Sequence, residues 1–409
     1  MFIADFHIHS RYSRATSKDM NMDNLSAWAK VKGINLLGTG DFTHPDWLVE
    51  LKSKLKESEY GIYKHDNVFY ILTCEVCNIY FKSGRTRKIH NIIFSPSLET
   101  VDKINKFLSQ YGKLYADGRP ILSIEADRMV AGLAKIDGDI FVVPAHIWTP
   151  HFSLFGANSG FDSIEECFGE FTSRIYSLET GLSSDPGMNR RWSALDRFAL
   201  ISNSDAHSPS KLGREANVFR EKFDYKELIE ILKTKDEEKF LYTVEFYPEE
   251  GKYHWDGHRK CNALLSPEES KNLNHKCPTC GAKVTVGVMS RVEELSDKED
   301  GARPQKSSSY KSLVPLIEIV SSALKVGRES KQVAREYNLL IKKFGSEFGL
   351  LLNAEEKKIE KECPPKIACG ILNVRKGKVD IVPGYDGVYG KVNIYKETDE
   401  KPEKQLELF

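Results

Sequence analysis

Long apolar runs are absent from this sequence of 409 residues. No stretch reaches the roughly 18 apolar residues that a transmembrane helix needs, so we expect no membrane partner. The N-terminus lacks a basic segment followed by a long apolar core, which argues against a cleaved signal peptide and for a cytoplasmic protein. A charge excess is also absent, because the formal net charge is 0. Any nucleic-acid surface must therefore be a local patch.

Cysteines are too few, at 8 in the chain, to indicate a disulfide framework in a protein of this length. Four of them lie in the two CxxC pairs "CEVC" and "CPTC". In a cytosolic protein such pairs indicate metal binding or core packing. Cys74 and Cys77 lie three apart on a predicted strand and face opposite ways, so we interpret them as core residues.

Short apolar runs alternate with helical patterns from Phe2 to about Pro248. This alternation predicts parallel strands in an α/β barrel or a doubly wound sheet. The next segment is rich in His, Cys and Gly and has little periodicity. It is too small for a large core, so it needs further stabilisation, such as a bound metal ion. Helical patterns return near Tyr310. We predict a barrel at 1–248, a zinc-binding module at 249–306, a helical segment at 307–362, a small β-rich segment at 363–396 and a flexible tail at 397–409.

Polar side chains stand at the predicted ends of the barrel strands, where a barrel carries its chemistry. In "ADFHIHS", His7 and His9 lie two apart on a strand and point to one face. A single histidine of this kind is usually a satisfied core residue, but the set is too large for that interpretation. Imidazole and carboxylate groups bind divalent metals. The predicted ligands of two or three ions are His7, His9, Asp41, His44, Glu75, His90, His146, Asp205 and His207.

Clustered metal ions suit the hydrolysis of phosphate esters, because they activate a water, neutralise the phosphate and stabilise the leaving oxygen. No side-chain nucleophile is then required. The predicted catalytic residues are the same ligands without Asp41 and His44, and Glu75 and Asp205 are the natural bridging carboxylates. Asp5 has the same parity as His7, so we expect it to hold the second nitrogen of an imidazole. The working ions are zinc, magnesium or manganese.

Two short knuckles, "HRKC" and "CPTC" followed by Gly281, predict one structural zinc. The alternative is a cysteine-lined loop without an ion, but this segment shows no other source of stability. The first ligand is open, because His254 and His275 lie nearby. The predicted zinc ligands are His258, Cys261, Cys277 and Cys280.

Local basic segments offer surfaces for a phosphate backbone, and aromatic side chains offer stacking faces. The segment "FKSGRTRK" has no acidic residue and directly precedes His90, and "RR" lies beside Trp192. Each run on its own also fits an ordinary solvated surface. The predicted DNA-binding residues are Arg85, Arg87, Lys88, Trp148, Arg190 and Arg191.

The motifs "DFHIHS", "GTGDFTH", "CEV", "IH", "PAHIW" and "NSDAH" resemble the PHP (polymerase and histidinol phosphatase) family. The resemblance implies a distorted (β/α)7 barrel with a trinuclear metal centre. It implies that one ion is held by His7, His9, Glu75 and Asp205, a second by Glu75, His90 and His146, and a third by His207 with Asp41 or His44. The family's second motif reads Asp-His, whereas Phe42 follows Asp41 here, which leaves the third site open.

Nearly the whole chain resembles one group of this family, the archaeal DNA-repair endonucleases, through "DGHRKC…CPTCG", "VPLIEIV" and "PGYDGVYG". This implies a monomeric enzyme that recognises uracil, hypoxanthine, xanthine and abasic sites and cuts on the 5′ side of the lesion. The damaged base would be extruded into a pocket, for which "WTPHFSLFG" and "GYDGVYG" are candidate walls. A sliding-clamp partner is also implied, and Gln405 to Phe409 resemble a shortened clamp-binding tail.

Three other functions fit parts of the pattern. A small-molecule phosphatase of the same barrel would not need the long C-terminal extension. A 3′ exonuclease without lesion specificity could not cut circular DNA. A non-catalytic zinc-containing DNA-binding protein would lose no activity on substitution of His7.

Overall fold

The structure is a computed structural model that describes residues 1–395. The predicted flexible tail at 397–409 and the clamp-like segment from Gln405 to Phe409 therefore lie outside the described residues. Within 1–395, no helix is long and apolar enough to cross a membrane.

Most strands belong to one mixed sheet, which is built mainly from residues 2–245. The strands are β1 (Phe2–Asp5), β2 (Leu36–Gly38), β3 (Lys56–Glu59), β4 (Ile62–His65), β5 (Val68–Lys82), β6 (Arg85–Ser95), β7 (Ile121–Leu122), β8 (Phe141–Pro144), β9 (Ser177–Glu179), β10 (Ala199–Ile201), β11 (Ala216–Phe219), β12 (Phe240–Glu245), β13 (Asp256–His258), β14 (Ala263–Leu265), β15 (Ser309–Ser312), β16 (Asp380–Val382) and β17 (Lys391–Asn393). The sheet order β15-β12-β11-β1-β2-β5-β4-β3 leaves β6, β7 and β8 attached through β5 and β6.

The helices cover this sheet and form most of the C-terminal part of the described chain. They are α1 (Met22–Lys32), α2 (Pro45–Lys54), α3 (Leu98–Leu108), α4 (Ala126–Ile136), α5 (Ile164–Phe168), α6 (Pro186–Asn189), α7 (Tyr225–Thr234), α8 (Pro267–Asn272), α9 (Val288–Leu295), α10 (Leu316–Leu324), α11 (Lys331–Phe344), α12 (Glu356–Glu362) and α13 (Pro365–Arg375). Helix α1 begins after Asn21, whose side chain accepts from the Asn24 N–H, and ends at Gly33, which adopts a left-handed conformation.

The sheet contains both parallel and antiparallel pairs. Strand β1 pairs in parallel with β2, and β2 pairs in parallel with β5. The long hairpin of β5 and β6 then reverses direction and leads to β8. Strands β9 and β10 form a separate parallel pair. The α/β class is therefore confirmed, whereas a closed barrel of seven strands stays a prediction.

The C-terminal regions differ in part from the prediction. Helix α13 occupies Pro365–Arg375, so the prediction of a β-rich segment from residue 363 is wrong for its first half. The apolar residues of this stretch fit a buried helix face as well as a strand, and periodicity alone does not separate the two in a short run. Strand β15 lies within the predicted helical segment and pairs in parallel with β12, which joins that segment to the barrel sheet. The predicted domain boundaries stay predictions.

Two buried carboxylates, Glu215 and Glu245, lie where β11 begins and β12 ends. The hydroxyls of Thr180 and Ser202 each donate to Glu245 Oε2 at 3.1 Å. Burial nevertheless raises the pKa of Glu245 to about 8, with a further increase from Asp185. Burial, together with the nearby Glu245, also raises the pKa of Glu215. At least one proton is therefore retained by this pair near neutral pH.

Between about pH 5 and pH 8, we expect the free energy of unfolding to fall less in Glu245→Gln than in the native protein. In that range the folded protein keeps a proton that the unfolded chain releases, because the pKa of Glu245 rises from 4.5 to about 8. The free energy of unfolding of the native protein must then fall as pH rises. Melting temperatures at the two pH values test this, with the exposed Glu356→Gln as the matched control. Equal slopes for Glu245→Gln and the native protein would contradict the prediction.

Candidate metal centre

Strand geometry brings the predicted ligands to one end of the sheet. His7 and His9 follow β1, His146 follows β8, and Asp205 follows β10. Glu75 lies within β5, and the antiparallel β6 places His90 opposite Cys77, two residues further along β5. Because β6 runs in the opposite direction, its beginning lies at the edge where the parallel strands end. His90 stands at the middle of β6.

The first cluster consists of His7, His9, Glu75 and Asp205, whose ligand atoms all lie within 4.8 Å of one another. His9 Nε2 lies 3.1 Å from Asp205 Oδ1 and 3.2 Å from Glu75 Oε2. The Nε2 atoms of His7 and His9 and Oδ1 of Asp205 are buried and have no hydrogen-bond partner in the described structure. Buried polar atoms normally have partners. Imidazole nitrogens and a carboxylate oxygen that converge without hydrogen-bond partners therefore fit a divalent cation.

The second cluster consists of Glu75, His90 and His146, again with ligand atoms within 4.8 Å. Glu75 Oε1 lies 2.6 Å from His90 Nδ1 and 3.0 Å from His146 Nε2. Glu75 therefore turns one oxygen to each cluster. A carboxylate in this position can bridge two ions.

Two further carboxylates hold the imidazoles of the first cluster. Glu179 lies 3.0 Å from His7 Nδ1 and also accepts the His146 N–H at 2.8 Å. Asp41 lies 2.9 Å from His9 Nδ1 and accepts the Ser10 N–H at 2.6 Å. Each carboxylate fixes the ring so that Nε2 faces the cluster. Sequence reasoning missed Glu179, although its place at the end of β9 is the signal that marked the other residues.

Asp5 does not contact an imidazole in the described structure, so that expectation is wrong. Its carboxylate accepts the Ser204 N–H at 3.1 Å, the Ser204 hydroxyl at 2.6 Å and the Gly213 N–H at 3.0 Å. Strand β1 ends at Asp5, and the alternation that gives Asp5 and His7 one face is lost beyond it. Asp5 instead fixes the loop that carries Asp205.

Three predicted ligands lie outside the two clusters, namely Asp41, which holds the His9 ring, and also His207 and His44. The His207 ring lies 4.5 Å from the His9 ring, and its Nδ1–H donates to the Asp205 carbonyl oxygen at 2.8 Å. His44 is buried against Tyr12 at 4.4 Å, and its Nδ1 has no hydrogen-bond partner among the described residues. A third ion held by His207 with Asp41 or His44 stays a prediction.

The backbone around the clusters is strained. Asp41, His146 and Asp205 have φ angles of 46°, 31° and 47°, a left-handed region that residues with a side chain seldom adopt. At Gly40 a Cβ would lie 2.2 Å from the Ile8 carbonyl oxygen, so glycine is required there. Strain of this kind is retained where the surroundings hold a functional geometry.

Electrostatics favour the charged forms of His7 and Glu75, whereas burial lowers the pKa of His90 to about 4. Burial by itself lowers the pKa of His7, but Glu179 and Glu75 together raise it well above its ordinary value. Burial raises the pKa of Glu75, yet His90, Arg119 and His7 bring it well below its ordinary value. The site therefore holds carboxylates in the ionised form that metal binding needs, and a bound cation would replace the imidazole protons.

The predicted zinc ligands His258, Cys261, Cys277 and Cys280 come together, with ligand atoms within 4.8 Å. The β13–β14 hairpin presents His258 and Cys261, and His258 Nδ1 lies 3.4 Å from Cys280 Sγ. Burial raises the pKa of Cys277, but N–H groups of Cys280 and Thr279 outweigh this and lower it to about 6. All four side chains suit tetrahedral zinc. His254 and His275 lie outside this group.

We expect Cys277→Ser to remove one zinc ion per chain and to unfold the module around it. The local core is small, comprising Ala263, Leu265, Cys277 and Val284, so the metal must supply most of the stability. Zinc content by mass spectrometry and amide hydrogen exchange over 256–285 measure the effect. Cys369→Ser, outside the cluster, is the matched control. Native zinc content in Cys277→Ser would contradict the assignment.

Two of the predicted DNA-binding residues are buried, so these predictions are wrong. Trp148 is 1% exposed, and its Nε1–H donates to Asn189 Oδ1 at 2.8 Å. Arg87 is 5% exposed, donates to the Gly160 carbonyl oxygen and lies 4.0 Å above the Phe161 ring. Neither side chain can reach a DNA backbone. A basic or aromatic residue in the sequence does not reveal whether it faces solvent or clamps a loop.

Of the other four predicted DNA contacts, two are held by internal partners and two stay predictions. Arg190 donates to the Ser308 carbonyl oxygen, and Arg191 pairs with Glu293 and with Asp300, so internal partners engage both. Arg85 is exposed on the β5–β6 hairpin. Lys88 is half-buried, with its ammonium 5.3 Å from the Phe152 ring. Arg85 and Lys88 stay predicted DNA contacts.

Comparisons with known proteins match the whole described fold. Residues 315–378 match the family model described as MJ0043 C-terminal domain. Protein MJ0043 of Methanocaldococcus jannaschii is 37% identical over 264 residues, which cover 63% of this chain and only 32% of that protein. Protein YqxK of Bacillus subtilis is 31% identical over 405 residues, which cover 95% of this chain and 98% of that protein.

Two solved structures are similar over almost the full length. The lesion-specific endonuclease PfuEndoQ from Pyrococcus furiosus has a TM-score of 0.87 and 33% identity, covering 99% of this chain and 98% of that one. A complex of endonuclease Q with a 27-mer duplex substrate, which has an abasic lesion at the active site, has a TM-score of 0.86 and 33% identity, covering 99% of both chains.

The fold, the ligand clusters and these relatives define the class of protein first: a phosphodiester hydrolase with a mixed α/β core. Its site offers clustered ligands for divalent metals. Within that class, the chain belongs to the endonuclease Q family.

Proposed function

We propose that this protein is a metal-dependent DNA-repair endonuclease that recognises uracil, hypoxanthine, xanthine and abasic sites and cuts on the 5′ side of the lesion. The observation that carries the proposal is Glu75, shared by two ligand clusters beside a wide cleft. The similarity to endonuclease Q bound to abasic DNA supports the same substrate class. We further propose that the chain acts as a monomer in the cytoplasm.

The cleft beside the clusters supports a nucleic-acid substrate. Its volume is about 1230 Å³, above the roughly 300–1,000 Å³ of typical small-molecule pockets. Thr149 lines it and also lies 3.1 Å from His146 Nδ1 through its hydroxyl. His151 and Tyr389, from the segments "WTPHFSLFG" and "GYDGVYG", line it as well. Both candidate walls therefore face one space, which is open enough for an extruded base.

A basic wall of the same cleft supports contact with phosphates. Lys211 and Arg214 line it together with Ser208 and Ser210. Arg328 lines it as well, and it pairs with Glu318 at 3.7 Å and with Glu329 at 3.6 Å in the same cleft. Burial and the positive charges of Arg214 and Arg328 lower the pKa of Lys211, as expected of cations held close together. An anionic strand would relieve this repulsion. We propose these cations as DNA contacts in place of Arg87 and Trp148, which are buried.

The protein's own groups prepare the site for hydrolysis. When bound, divalent ions would activate a water and neutralise the phosphate. The first cluster and the second cluster would hold them, and Glu179 and Asp41 would keep the His7 and His9 rings in place. Water adds to phosphorus, the bond to the 3′ oxygen breaks, and that oxygen takes up the proton. No serine or cysteine nucleophile takes part.

An incision assay tests the proposal. Labelled duplexes with a normal base, uracil, hypoxanthine, xanthine or an abasic site are incubated with and without chelator. We expect cutting 5′ of each lesion only, and none after chelation. A circular duplex with one uracil must also be nicked, which a 3′ exonuclease or a small-molecule phosphatase cannot do. Equal cutting of normal and uracil DNA would overturn lesion specificity.

A clamp partner is proposed separately. Gln405 to Phe409 resemble a shortened clamp-binding tail, and they lie outside the described residues. Co-precipitation of a purified sliding clamp by the full chain, compared with a chain ending at residue 396, tests this contact. Equal capture by both chains would overturn it.

A further inference from the structure

Arg119 lies directly beside the shared carboxylate. Its Nη1 is 3.1 Å from Glu75 Oε2, the oxygen that faces His7 and His9. Among residues 1–395, no other Arg or Lys side chain forms an ion pair with a carboxylate of the two clusters. A permanent positive charge therefore stands on the side of the first cluster, where sequence reasoning placed none.

The guanidinium of Arg119 extends from the buried carboxylate towards solvent. The Glu75 side chain is 0% exposed, whereas the Arg119 side chain is 28% exposed. A guanidinium has five N–H donors, and in the described structure the Arg119 guanidinium donates to Glu75 alone. The remaining donors form a planar fork, which matches the oxygens of a phosphate better than a lysine ammonium does.

The loop that carries Arg119 is fixed on both sides. Gly118 donates its N–H to the Tyr12 carbonyl oxygen at 3.1 Å, and the Pro120 carbonyl oxygen accepts the Cys77 N–H at 3.0 Å. A Cβ on Gly118 would lie 2.3 Å from Asp41 Oδ2, so the loop packs against the carboxylate that holds His9. An arginine held in this way needs little rearrangement when an anion arrives.

We propose that Arg119 is a catalytic residue that binds a non-bridging oxygen of the scissile phosphate and stabilises the charge that develops there. The proposal rests on the proposed function, because it assumes a phosphodiester at the first cluster. The alternative is a structural role, in which Arg119 only neutralises Glu75. Neutralisation needs a charge, but it needs neither the planar fork nor the exposed donors.

Arg119→Lys separates these roles, because it keeps the charge beside Glu75 and removes the fork. We expect native metal content, a fall in kcat of about 10²-fold on uracil DNA and little change in KM. We also expect inorganic phosphate to bind about tenfold more weakly to the metal-loaded protein in calorimetry. Arg14→Ala is the matched control, since Arg14 pairs with Asp117 of the same loop at 3.7 Å and forms no ion pair with Glu75 in the described structure.

The outcomes decide between the roles. Native phosphate affinity in Arg119→Lys, or metal loss in proportion to the loss of activity, would overturn the proposal. Phosphate binding needs no lesion DNA, so this measurement still decides the role of Arg119 if the native protein fails to cut any lesion. That failure would refute the proposed function alone.

Discussion

Replacing Glu75 with glutamine is expected to lower the rate of lesion-specific incision by about 10³-fold or more. Glu75 Oε1 lies 2.6 Å from His90 Nδ1, and Oε2 lies 3.2 Å from His9 Nε2, so one side chain serves both clusters. Glutamine keeps the shape, but it loses the charge and turns one ligand oxygen into an N–H donor that repels a cation. A single substitution therefore weakens both metal sites.

Glu179→Gln is the matched comparison, because Glu179 is equally buried but acts through His7. Loss of a residue that only orients a ligand costs about 10- to 100-fold in affinity or activity. We therefore expect a graded series, with Glu179→Gln between the native protein and Glu75→Gln. Single-turnover rates on uracil DNA and metal content by mass spectrometry measure both effects.

Two results would contradict the graded series. Native metal content in Glu75→Gln would show that Glu75 does not hold the ions. Equal losses in both variants would show that the distinction between a shared ligand and an orienting group is wrong. Circular dichroism at the assay temperature must show both variants folded, so that unfolding does not imitate metal loss.

Part of the clusters could be predicted because the carboxyl ends of parallel strands lie at the same edge of a sheet. His7, His146 and Asp205 come from strands far apart in the chain, yet each follows the carboxyl end of a buried strand. Alternating strands and helices predict that such ends meet at one edge, whereas Glu75 and His90 are brought together by the antiparallel β5–β6 hairpin. Strand ends therefore indicate which side chains can meet, whereas the division into two ligand sets follows from the family resemblance, and metal binding by both sets stays a prediction.

Residues that act through loops could not be predicted in the same way. Arg119 lies in the loop before β7, and its position depends on hydrogen bonds of Gly118 and Pro120 that no pattern records. Arg87 has the composition of a DNA contact but clamps the Gly160 carbonyl oxygen instead. Whether an arginine faces solvent is decided by long-range packing, which short motifs do not encode.

The Asp5 prediction failed for a related reason. Parity assigns a common face only while the strand continues, and β1 ends at Asp5 itself. The orienting role that the sequence assigned to Asp5 belongs to Glu179, at the end of β9. Parity arguments should therefore stop at the strand boundary, and sequence reasoning places those boundaries least reliably.

The largest expected loss of stability follows from Glu347→Ala. Glu347 is 4% exposed and joins the helical segment to the barrel. It lies 2.7 Å from Lys32 Nζ and 2.6 Å from the Tyr337 hydroxyl, and it accepts the Leu316 N–H at 3.0 Å. Alanine leaves the Lys32 ammonium buried without its partner. Breaking a buried pair in this way costs about 3–5 kcal/mol.

An exposed ion pair provides the matched control. Lys30 and Asp66 lie 2.7 Å apart, but their side chains are 46% and 54% exposed. Asp66→Ala should therefore cost at most about 1 kcal/mol. Urea unfolding and amide hydrogen exchange over residues 315–378 measure both variants. We expect Glu347→Ala to lose protection first in α10 and α11, which the Glu347 contacts hold against the barrel.

A second substitution identifies the cause of the loss. Lys32→Met removes the buried charge, so Glu347→Ala should cost less in that background than in the native one. Tyr337 and Leu316 lose their acceptor in either case, so part of the cost must remain. An unchanged cost in the Lys32→Met background would mean that these two hydrogen bonds, and not the buried ammonium, join the segment to the barrel.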